Sequence, residues 1–163
     1  VFLCANFNSI ICDYVARQKI KSRHLNKYIL EQLPVVPRDA YARKFGKRKA
    51  ADLVRDHVLR LSYTANDLAD FARDMGHVDK AGNGRPPGKG DEYERAHLRA
   101  RLDALYFLLY GITDRDDVRY ILSTFPGVRE DDEKKFGTYR TEKLVLAYMN
   151  ALEAGDSDTV VAL

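Results

Sequence analysis

No stretch of the chain approaches the ~18 consecutive apolar residues that a membrane helix needs, so no membrane span is expected. The N-terminus has neither a basic region nor a small-residue cleavage site, which leaves no recognisable signal peptide. Cysteine is scarce. Cys4 and Cys12 fall in what reads as one helix, separated by about 12 Å at ~1.5 Å per residue, too far for a disulfide. Buried, reduced thiols in a cytoplasmic protein are the expectation.

Catalytic and metal motifs are equally sparse. His24, His57, His77 and His97 are scattered, and neither H-x-x-x-H nor C-x-x-C occurs. Glu94 and His97 stand at i, i+3 as in half of a di-iron carboxylate site, but the other half is missing. No serine sits in a glycine-framed elbow, and "GNGRPPGKG" lacks phosphate-loop spacing. The "DDEKK" run at 131–135 has an acid-x-lysine triplet but no neighbouring strand to complete a nuclease site, and reads as charged loop. No catalytic residue, cofactor site or metal site is expected in the chain itself.

What is present is helical periodicity. The 163 residues, 45% hydrophobic and 31% charged, suit one soluble domain with its own core. Apolar residues recur at three-to-four spacing over 2–16, 24–33, 37–61, 64–76, 91–110, 113–125 and 141–154. Pro34 and Pro37 end the second of these, with a short extended segment near 33–37. Thr64 and Thr113 read as helix caps. Five glycines and two prolines make 76–90 a flexible surface loop. The fold class is therefore all-α, six or seven helices in an irregular bundle. The start lacks a methionine and opens in mid-pattern, as a cut into a longer polypeptide would.

Charge is segregated. Residues 14–49 hold eleven Lys or Arg against two acids, net +9, while the remainder carries 16 bases and 22 acids. Clustered cations are rewarded by counterion release on a polyanion. Arg17, Lys19, Lys21, Arg23, Lys27, Arg43, Lys44, Lys47 and Arg48 are the candidate phosphate contacts. Ser22 could hold a further phosphate at the start of a helix, or simply cap it, and Asn26 could reach a base edge.

Several blocks together carry a family resemblance. "NFNSIICDYVARQKI", "HLNKYILEQLPVVP", "LSYTANDLADFARDMG", "RAHLRARLDALYFLLYGITDRDDVRYILSTFP" and "DEKKFGTYRTEKLVLAYMNAL" resemble the C-terminal region of large adenine-N6 DNA methyltransferases, of the type IIG restriction–modification kind and related phage-defence methylases. The resemblance implies that 1–37 is the helical end of a target-recognition region and 38–163 a helical scaffold. It implies duplex DNA as partner, together with upstream methyltransferase and recognition domains of the same polypeptide. S-adenosylmethionine is implied for the parent enzyme, but its glycine-rich motif and the Asn-Pro-Pro-[Tyr/Phe] motif do not occur here. The second reading is a helical docking module, with Phe2, Phe7 and Ile11 as its exposed stripe.

Overall fold

The computed structural model describes residues 1–20, 25–88 and 90–162. Among these the chain is predominantly α-helical, as the periodicity predicts, but it has nine α-helices rather than six or seven, and one two-stranded hairpin. The extra helices are a division of the first expected one and a helix in the stretch read as charged loop.

The first expected helix is two, α1 (Phe2–Phe7) and α2 (Ile10–Lys19). Ser9 leaves helical geometry and its hydroxyl accepts from the Cys12 N–H at 3.4 Å, while the Asn8 amide donates to the Cys4 carbonyl at 2.8 Å. Short polar side chains offer the backbone an alternative to helix, and here they turn a corner. The next helix is only α3 (Lys27–Leu30). Cys12 is buried, but Cys4 is exposed, contrary to expectation; both are free thiols.

The expected basic helix over 37–61 is the largest departure. It divides into a 3-10 turn at Arg38–Ala42, strands β1 (Lys44–Phe45) and β2 (Arg48–Lys49), and α4 (Ala50–Ser62). Gly46 causes the break. Its φ of +62°, with no positive φ at Lys47, is the pattern of a two-residue II′ hairpin turn. A 3-10 turn at Asn66–Leu68 leads into α5 (Ala69–Asp74), so Thr64 caps nothing.

The second half follows expectation more closely. Helix α6 (Glu92–Leu109) buries ten of its residues and is the centre of the core, with α4, α9 and the α1–α2 corner around it. The Asp91 carboxylate caps it at Glu94 N–H. Asp114, not Thr113, caps α7 (Arg115–Ser123), accepting from the N–H groups of Asp116 and Asp117. The run read as charged loop is helix α8 (Pro126–Phe136), with proline at its first turn and Gly137 in the left-handed conformation at its end. That is the standard asymmetry of helix ends. Helix α9 (Arg140–Glu153) closes the core with Leu144, Val145, Tyr148 and Leu152 inward. No helix among the described residues is long and apolar enough to cross a membrane.

Candidate nucleic-acid interface

The cations of residues 14–49 divide into those tied to the protein and those left to solvent. Arg17 forms an ion pair with Asp13 at 3.0 Å and lies 4.6 Å over the Phe125 ring. Lys27 pairs loosely with Glu31 at 3.6 Å. Arg43 donates to the Leu108 carbonyl at 2.8 Å, in the last turn of α6, and stacks over Phe45 at 4.9 Å. Arg48 reaches Asp158 at 3.1 Å and Asp56 at 3.9 Å. Arg43 and Arg48 therefore serve mainly as brackets between the hairpin and its surroundings. Asn26 is exposed at the start of α3, with no side-chain capping bond. Lys21, Ser22 and Arg23 lie outside the described residues, as does His24.

The hairpin collects the rest. Lys44 stands directly across the ladder from Lys49, and Lys47 occupies the turn between them. All three are exposed, and no carboxylate lies within ion-pair distance of them among the described residues. Like charges placed opposite one another on a ladder repel. The hairpin is nevertheless held firmly, because Phe45 is buried and the Gly46 backbone touches the turn after α9. A Cβ on Gly46 would fall 1.9 Å from the Gly155 carbonyl oxygen. An exposed lysine triplet with no ion-pair partner for its ammonium groups among the described residues is an anion-binding arrangement, although Asp52 accepts the Lys49 backbone N–H at 3.4 Å and Arg48 between them is held by Asp158 and Asp56. Lys19 is exposed in the last turn of α2.

Sequence reasoning included Lys44 and Lys47 but omitted Lys49, because the helix expected there hid the pairing. The signal was the Phe-Gly-Lys-Arg spacing, a two-residue turn beginning with glycine.

The remaining motifs have structural explanations. Glu94 pairs with Arg60, and His97 is buried with its Nδ1 2.7 Å from the Tyr148 hydroxyl, so the two do not form half of a metal site. No cluster of three metal-ligating side chains occurs among the described residues. Burial holds the His57 and His97 imidazoles below their ordinary pKa. Asp56 Oδ2 is 3.4 Å from His57 Nδ1 but off the line of a hydrogen bond. The glycine-rich loop is not a phosphate cradle, because the Asp79 carboxylate already accepts the N–H groups of Ala81 and Asn83. The stripe proposed for docking is not exposed either. Ile11 is buried, Phe7 half-buried, and Phe2 stacks on Tyr41 with ring centroids 4.5 Å apart.

No family model, curated protein or solved structure matches the chain.

Proposed function

We propose that this chain is a DNA-engaging, non-catalytic helical region of an S-adenosylmethionine-dependent DNA adenine-N6 methyltransferase of the restriction–modification or phage-defence kind. The observation that carries the DNA contact is the hairpin with Lys44, Lys47 and Lys49 exposed and without an ion-pair partner among the described residues. These lysines hold phosphates of duplex DNA. Cofactor binding and methyl transfer belong to the catalytic domain of the parent enzyme, and no residue of this chain is assigned to them. The methyltransferase assignment is supported by the blocks of sequence resemblance, and the phosphate contact by the hairpin.

The test is duplex DNA binding as a function of salt. Replacing Lys44, Lys47 and Lys49 together by alanine should weaken binding and reduce the slope of log K against log salt by about 2 to 3, at ~0.9 per phosphate contact. Lys134→Ala, on α8 and outside the basic segment, should leave both unchanged. Equal binding by the triple variant and the parent chain, or no binding at low salt, refutes the reading.

A further inference from the structure

A pocket of about 260 Å³ lies between the end of α4, the first half of α6, α9 and the segment that follows α9, and shares no residue with the lysine hairpin. It is smaller than the ~300–1,000 Å³ of drug-sized ligand pockets, so it suits a small molecule and not a polypeptide. Two of its lining residues are polar and buried: His97 and Arg101, one turn apart on α6, are 6% and 7% exposed. The rings of Tyr93 and Tyr148, with Leu98 and Val160, supply apolar wall.

Arg101 is a buried guanidinium without a paired acid. Its Nη2 donates to the Thr159 carbonyl at 2.7 Å, and the group lies 4.6 Å over the Tyr148 ring. Among the described residues no carboxylate is within ion-pair distance of it, and its other N–H groups have no hydrogen-bond partner. The surrounding acids are committed elsewhere. Glu94 pairs with Arg60, Asp158 with Arg48 at 3.1 Å, and Asp56 is shared by Arg48 and Arg60. Asp156 accepts the N–H groups of Asp158 and Thr159. A guanidinium carries five donors, and one carbonyl uses one of them.

The hydrogen bond of His97 fixes its tautomer. Nδ1 is 2.7 Å from the Tyr148 hydroxyl, which has no other partner among the described residues. The hydroxyl proton is satisfied by donation to Nδ1, which leaves the proton of the neutral ring on Nε2. Burial, with Arg140 and Arg101 nearby, lowers the His97 pKa and keeps that ring neutral. Nε2 is itself buried and has no hydrogen-bond partner. Buried donors in native proteins are almost always paired, so an orphaned one beside a pocket calls for an acceptor there.

We infer that this pocket binds a small carboxylate with an apolar body, its oxygens accepting from the free N–H groups of Arg101 and from His97 Nε2–H. A carboxylate only accepts, and its hydrogen bonds to a guanidinium are of the strong, charge-assisted kind. A monoanion matches the one unpaired cation, since the histidine brings a donor and no charge. A phosphate dianion would bring a second charge that no free cation meets, because Arg60 is already held by Glu94 and Asp56. Tyr93, Leu98 and Val160 receive the apolar body. This inference is independent of DNA binding by the hairpin.

The test is a titration of the whole chain with benzoate, read by NMR of the His97 and Arg101 side chains at about pH 7.5, where the imidazole is neutral. Benzamide, acetate and inorganic phosphate are titrated in parallel. Benzoate should shift the His97 Nε2–H and Arg101 N–H signals saturably, acetate should bind more weakly, and benzamide and phosphate should not compete. Arg101→Gln should weaken benzoate roughly 10-fold or more, the loss expected for a hydrogen bond between charged groups. Val160→Trp, which fills the pocket from an exposed position and leaves both donors in place, should block binding while circular dichroism shows the fold retained. If Arg101→Gln fails to fold, Val160→Trp decides. No saturable shift with benzoate overturns the proposal. So does acetate, benzamide or phosphate binding as tightly as benzoate, or benzoate binding unchanged in a folded variant.

Discussion

Replacing Asp103 by asparagine should stabilise this protein in a manner that depends on pH. In the folded chain the carboxyl titrates at about 7, raised from 3.8 by burial. The folded state therefore holds its proton more tightly than the unfolded state. Between about pH 4 and pH 7 the folded chain is protonated at this site and the unfolded chain is not, so stability falls as pH rises and levels off above pH 7. A shift of about three units corresponds to about 4 kcal/mol. Asparagine preserves an acceptor for the Ile10 N–H and cannot ionise. The gap between Asp103→Asn and wild type should open near pH 4, widen by about 1.4 kcal/mol per pH unit and reach about 4 kcal/mol at pH 8. In thermal unfolding at pH 8 this is about 8 to 16 °C, at ~2–4 °C per kcal/mol for a chain of this size. His57 and His97 act in the opposite direction, since their depressed values remove stability as pH falls below their unfolded value of 6.5. They do so in both proteins and cancel in the difference. Urea denaturation followed by far-ultraviolet circular dichroism from pH 4 to 8.5 measures the gap. Parallel profiles, or a variant less stable than wild type at pH 8, would refute the account of Asp103 as a buried acid without a counter-ion.

Gly46→Ala should destabilise by about 3 kcal/mol or more, because a methyl group meets backbone rather than a movable side chain and the φ is positive. The same variant should reduce duplex DNA binding, since the hairpin cannot keep its seat against Gly155. Tyr148→Phe leaves the buried His97 Nδ1 without its hydroxyl partner and should lower the urea-derived stability at pH 7 by about 1 to 3 kcal/mol.

The parts of the fold that sequence periodicity reveals are those whose packing and local preferences agree. Helix α6 is legible because a dense apolar run follows an aspartate cap, and α9 because its inward residues recur at helical spacing. Failures occur where a single residue redirects the backbone. Ser9 divides a continuous apolar stripe, and Gly46 turns a basic run into two strands although the flanking residues tolerate helix. Helix α8 was missed for a different reason. It buries none of its residues, so it has no apolar face to announce it, and only its Pro126 start and Gly137 stop mark it.

Charge counting was informative about the basic segment but not about which cations are available. Of the eleven between residues 14 and 49, Arg17, Lys27, Arg43 and Arg48 make contacts within the protein. The arginines among them bind carboxylates, a helix-end carbonyl and aromatic faces, the uses to which a planar guanidinium is suited. The three lysines of the hairpin make no such contacts among the described residues. The division between residue types follows from chemistry, because a flexible, strongly hydrated ammonium is the easier group to leave in water. It also decides which substitutions inform on function. An arginine changed at Arg43 or Arg48 disturbs the seating of the hairpin along with its charge, so a loss of DNA binding there is ambiguous. Lys44, Lys47 and Lys49 can be changed with the scaffold left intact, and any loss of binding then belongs to the charge itself.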